Sequence, residues 1–82
     1  MLEEAKALVS KSGFAEASSI AERAVKANGD DLEARILLGG IYMESGMYEK
    51  ALIQYQEALR LSPGETAALR GRERALAGLR PR

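Results

Sequence analysis

The chain has 82 residues, with twelve Lys and Arg against twelve Asp and Glu, and contains neither His nor Cys nor Trp. A chain of this length buries roughly 60–65% of its unfolded surface on folding, which is enough for one core and too little for a second domain. Without imidazole or thiol it cannot carry Ser-His-Asp or Cys-His nucleophilic catalysis, a structural zinc site, or His or Cys ligation of haem, so no cofactor or metal is expected.

Ala, Leu, Glu, Arg and Lys dominate and β-branched residues are sparse, a composition that favours helix throughout. A first helix is predicted over residues 2–12. Its opening, MLEEAKALVS, mixes acids with apolar residues where a signal peptide needs a basic start and then an apolar run. A second helix is predicted over 14–27, a third over 31–45, a fourth over 47–61 and a fifth over 64–79, with a short tail at 80–82. Gly13, Gly29 and Gly46 each follow a periodic segment, where a left-handed C-terminal cap favours a residue without Cβ. Asp30 with Glu33, and Ser62 with Glu65 around Pro63, have the spacing of reciprocal N-terminal caps for the third and fifth helices. The longest uncharged apolar run, Ile36 to Met43, is too short to span a bilayer, so a soluble chain is expected and its compartment stays open. Short connections predict that consecutive helices pack antiparallel.

A shift of 34 residues lays Ala17 on Ala51, Ala24 on Ala58, Ala5 on Gly39 and Phe14 on Tyr48. Small residues fall on small and aromatic on aromatic, the mark of a repeat made of two helices. Residues 32–65 carry Leu38, Gly39 and Tyr42, then Gly46, Tyr48 and Ala51, then Tyr55, Ala58 and Pro63. That pattern resembles one complete tetratricopeptide unit, with Arg35 where the family most often has Trp. Residues 1–31 resemble a degenerate first unit, and 66–79 resemble only the first helix of a third. The resemblance implies an all-α, right-handed solenoid of about five helices, two repeats and a cap helix in a single domain spanning 1–82. It also implies a non-enzymatic module that binds a protein, as a peptide or a helix, on its concave face. The small residues have a packing reason of their own. Ala5, Gly39, Ala17 and Ala51 stand where paired helices cross and let the axes approach toward about 8 Å, Ala24 and Ala58 do the same toward the following unit, and the aromatic residues fill what remains.

The third helix is uncharged between Arg35 and Glu44. Ala34, Leu38, Ile41 and Tyr42 form its core stripe, while Ile36, Leu37, Gly40 and Met43 form a second apolar face that needs either a neighbour or a ligand. Lys6 and Val9 of the first helix and Arg70 and Arg74 of the last project toward the same side, giving an apolar floor with a basic edge. Some tetratricopeptide domains clamp a ligand's terminal carboxylate with Lys, Asn and Arg; the corresponding Leu2, Lys6, Leu37, Ala67 and Gly71 keep at most one such group, which argues against that mode.

Charge is uneven along the chain. Residues 1–33 hold four bases and seven acids for a net −3, and residues 66–82 hold five bases and one acid for a net +4. The basic run Arg70, Arg72, Arg74, Arg80 and Arg82 lacks interleaved aromatics, so nucleic-acid contact is the less favoured reading. The favoured one is a capping helix with Ala68, Leu69, Ala75, Leu76 and Leu79 packed inward and arginines solvating the end of the stack. Gly71 and Gly78 lower its helix propensity and predict the least stable helix of the five. Because about three repeats are usual for independent stability, self-association, or membership of a longer array, is the structural alternative to peptide capture.

Overall fold

The computed structural model describes residues 14–81. The predicted first helix, with Ala5, Lys6 and Val9, lies outside them, as does the Phe14 side chain. The described residues form four helices rather than the five expected for the whole chain: α1 (Phe14–Ala27), α2 (Leu32–Glu44), α3 (Tyr48–Leu61) and α4 (Thr66–Leu79). Helix α1 packs on α2, α2 on α3, and α3 on α4, while α2 and α4 touch more lightly across α3.

Each helix buries a narrow stripe at three- and four-residue spacing. In α1 the stripe is Ala17, Ala21 and Ala24; in α2 it is Ala34, Leu38, Ile41 and Tyr42; in α3 it is Ala51, Tyr55 and Ala58; in α4 it is Ala68, Gly71 and Ala75. Because alanine supplies most of these positions, the helix backbones come close, and each bulky residue must find a seat opposite a small one.

The connections differ in detail from the sequence expectation. The Asn28 side chain accepts from the Asp30 N–H at 3.1 Å, which winds residues 28–31 into a turn and moves the helix cap one residue on. Asp31, not Asp30, is therefore the N-cap of α2, its carboxylate accepting from the Ala34 N–H at 3.1 Å. Gly29 is not left-handed; among the described glycines only Gly46 is, with φ of 75°. There the Gly46 N–H donates to the Met43 carbonyl at 3.1 Å and the Met47 N–H to the Tyr42 carbonyl at 2.8 Å, a Schellman closure of α2. Ser62 does not cap α4. It closes α3, its N–H donating to the Ala58 carbonyl at 2.8 Å. Its own carbonyl accepts from the Glu65 N–H at 3.1 Å, so Pro63 and Gly64 become the centre of a β-turn and α4 starts two residues later than expected, at Thr66.

Among the described glycines the tightest approaches are to the Tyr55 side chain. Its ring lies between α2 and α4: a Cβ added at Gly39 would stand 2.8 Å from ring carbons, and one at Gly71 only 2.2 Å. Tyr48 uses Gly78 in the same way, at 2.8 Å. Gly71 and Gly78 thus do more than weaken α4; they are the seats that let α4 dock on α3. Leu76 and Leu79, expected to point inward, are instead 42% and 39% exposed. Among the described residues no helix lies beyond α4 to cover them.

Polar links join three helices around this small core. Arg35 on α2 donates through Nε to the Gly29 carbonyl at 3.2 Å and through its guanidinium to Gln54 Oε1 of α3 at 2.9 Å. The Tyr42 hydroxyl donates to Glu22 of α1 at 2.6 Å, while Lys50 Nζ of α3 stands 5.7 Å from the centre of the Tyr42 ring. The exposed Arg60 to Asp30 pair at 3.7 Å contributes little by comparison.

Gly71→Ala is expected to lower the unfolding free energy by about 2 kcal/mol through overpacking, although alanine is the better helix former by about 1 kcal/mol. Gly64→Ala, whose methyl group would meet nothing within 4 Å, should change stability by less than about 0.5 kcal/mol. Urea unfolding followed by circular dichroism checks the pair, and equal stability of the two variants would mean that Gly71 is not the seat of the Tyr55 ring.

Candidate functional site

Between α2 and α4 lies an open cavity of about 1040 Å³. One wall is α2, with Ile36, Leu37 and Gly40 ending at Glu44; the other is α4, with Ala67, Leu69, Arg70, Arg72, Glu73 and Arg74; Tyr55 of α3 closes the floor. Below the cavity the Tyr55 ring packs against the bare backbone of Gly39 on α2 and Gly71 on α4.

The polar atom at the floor is the Tyr55 hydroxyl. A Cβ at Gly40 would approach it only to 3.9 Å, so a side chain there is sterically possible. Burial pushes the Tyr55 phenol above its ordinary pKa, the Arg74 guanidinium beside it pulls it back in part, and the Glu44 carboxylate pushes it up again. At neutral pH the floor therefore presents a neutral hydrogen-bond donor with a cation beside it.

Of the residues expected to line a groove, Ile36, Leu37, Gly40, Arg70 and Arg74 come together around this cavity. Met43 does not line it and is partly buried against the core cluster. Lys6 and Val9 lie outside the described residues. The sequence reading passed over Glu44, Arg72, Glu73 and the Tyr55 hydroxyl. Glu44 was recoverable from the four-residue step Ile36, Gly40, Glu44 on one helix face. Tyr55 was not, because a signature aromatic reads as core, and its ring is indeed only 2% exposed.

A family model described as tetratricopeptide repeat matches residues 2–66. The chain belongs to the tetratricopeptide repeat family. No curated protein matches it. Tetratricopeptide repeats generally mediate protein–protein interaction and are generally non-catalytic. The match ends at the first residue of α4, so the apolar wall of the groove falls inside the matched tetratricopeptide span and the basic wall beyond it. Among the described residues no helix is long and apolar enough to cross a membrane.

The two buried tyrosines give the tetratricopeptide chain a defined alkaline response. Tyr42 is also held well above the ordinary phenol range, first by burial and then by its hydrogen bond to Glu22 and the charge of that carboxylate. Raised phenol pKa values mean that the folded state binds more protons than the unfolded one above pH about 10, the ordinary tyrosine pKa. Stability should be level through neutral pH and fall as pH rises past about 10, and Tyr42→Phe should flatten that fall. Urea midpoints measured from neutral to alkaline pH check this; a Tyr42→Phe profile identical to the parent would show that Tyr42 does not contribute.

Proposed function

We propose that this chain is a non-enzymatic protein-interaction module whose groove between α2 and α4 receives an extended peptide or amphipathic helix of a partner. The segment it suits is apolar on the side facing Ile36, Leu37 and Gly40 and acidic on the side facing Arg70 and Arg74. On this reading the second repeat runs over residues 32–65 and α4 is a cap that lends its arginines to the groove. The observation that carries the proposal is the pairing of unlike walls: α2 contributes an uncharged surface from Ile36 to Gly40, and α4 faces it with three arginines. An apolar wall opposite a basic one selects amphipathic ligands, with burial supplying affinity and the arginines supplying orientation and on-rate. Glu44 and Glu73 at the same cavity disfavour an acid placed against them and so set the ligand's register.

Fluorescently labelled amphipathic peptides of leucine with glutamate, with glutamine, and with lysine serve as probes. The leucine–glutamate peptide is expected to bind most tightly, with the lysine version at least about tenfold weaker, a difference of about 1.4 kcal/mol. Gly40→Leu, which fills the groove from the α2 wall without entering the Tyr55 seat, should abolish binding and leave helicity intact. Unchanged binding by Gly40→Leu would sink the groove proposal.

A further inference from the structure

An apolar wall facing a basic one makes no use of the polar atom at the floor between them. Tyr55 is only 2% exposed, yet it lines the cavity. The end that reaches the cavity is the hydroxyl: it is the atom nearest to a Cβ placed on Gly40, and the Arg74 guanidinium and the Glu44 carboxylate both act on it. Gly40 and Glu44 line the cavity from α2 and Arg74 lines it from α4, so the hydroxyl lies between the two walls. Its place is fixed by the ring, which is seated on backbone where an added Cβ would stand 2.8 Å from it at Gly39 and 2.2 Å at Gly71. A polar group held in this way loses little freedom when a ligand binds, and so favours a ligand that matches it.

Hydrogen-bond chemistry limits what that match is. A guanidinium has donors and no acceptor, so toward Arg74 the phenol oxygen can only accept, and its own hydrogen is left to donate. Glu44 acts on the hydroxyl through charge alone, and more weakly than Arg74, so the positive neighbour prevails at the floor. Two donors and a prevailing positive charge fit a carboxylate, whose two oxygens can take the phenol O–H and a guanidinium N–H separately. We propose that Tyr55 is a specificity-determining residue of the groove, its hydroxyl and the Arg74 guanidinium together holding one side-chain carboxylate of an Asp or Glu within the partner's segment. This inference rests on the groove reading above and assigns the ligand's acidic requirement chiefly to one position. An acid that meets exposed Arg70 gains little in water. At the floor the discrimination is sharper, because an apolar side chain that covers the hydroxyl strands a buried donor.

The experiment uses the full chain and two variants. Tyr55→Phe keeps the ring in its glycine seats and removes the hydroxyl alone, and Arg74→Gln changes an exposed position; circular dichroism verifies that both retain the parent's helicity. The probes are the labelled leucine–glutamate peptide with an amidated C-terminus, so that side chains supply its only carboxylates, and a set in which each glutamate in turn is replaced by leucine. For the parent, one replacement is expected to weaken binding at least about tenfold, as for a lost hydrogen bond to a charged group, and the others less than about threefold. Tyr55→Phe and Arg74→Gln should each bind the unsubstituted peptide about tenfold more weakly than the parent does, and should lose nothing further on that one replacement. A free C-terminal carboxylate in place of the amide should change none of these affinities. A variant of either kind that binds every peptide as the parent does overturns the proposal and leaves the groove reading standing, and so does a loss equal for all the peptides. A parent that binds none of the peptides, or unchanged binding by Gly40→Leu, overturns the groove reading and this inference with it.

Discussion

The burial of Tyr55 is the constraint on which the rest of the molecule depends. A phenol ring can lie between two neighbouring helices only if both present bare backbone, and α2 and α4 do so with Gly39 and Gly71, where an added methyl would come within 2.8 and 2.2 Å of the ring. That contact docks α4 although it follows the matched repeats, sets the separation of α2 from α4, and leaves the hydroxyl at the floor of the space so created. Core and candidate site share one side chain. The groove's width is therefore a packing consequence, and a change that loosens the ring from its glycines alters the groove together with the fold.

A core this rich in alanine gains little from each buried side chain, at roughly 25 cal/mol per Å² of apolar area. Close backbone approach and cross-helix hydrogen bonds have to supplement it. Arg35 illustrates the substitution: at a place where the family most often carries a bulky indole, this chain holds the preceding turn and α3 by hydrogen bonds to Gly29 and Gln54. A guanidinium reaching a carbonyl and an amide oxygen, half-buried, secures the same three elements by geometry instead of by area. Tyr42 does the equivalent at the other end of α2, bonded to Glu22 on α1 and overlaid by Lys50 of α3.

Those features differ in how far the sequence discloses them. The alanine registers and the tyrosines are legible because period and residue size are local properties, and they place the buried stripes of α1 to α3 where the structure has them. The caps are less legible. Asn28 and Asp30 both suit a turn, and only the three-dimensional path decides that Asn28 winds the turn and hands the cap to Asp31. Ser62 and Glu65 likewise have capping-box spacing, but Pro63 and Gly64 favour a β-turn that uses Ser62 to end one helix before the next begins. The roles of Gly71 and Gly78 are the least legible, since a helix glycine reads as a propensity cost until the partner ring is known, and both rings arrive from α3. The exposure of Leu76 and Leu79 has the same origin: an apolar residue at helical spacing reads as core, and whether a neighbour exists to cover it is a property of the assembled stack.

The balance of twelve positive and twelve negative side chains conceals a separation that matters for every surface described. Within the groove, α4 sets Arg70, Arg72 and Arg74 against an uncharged stretch of α2, with Glu44 and Glu73 interspersed, so its field is mixed and varies over a few Å. At the end of the stack Arg80 belongs to the segment 66–82, of net +4, whereas residues 1–33 carry a net −3. For the ligand proposed above, short-range mixed charge would select the register, because a shift of one residue brings an acid against Glu44 or Glu73. A separation of whole segments selects orientation between large bodies, because its field persists over the roughly 8 Å that physiological salt allows.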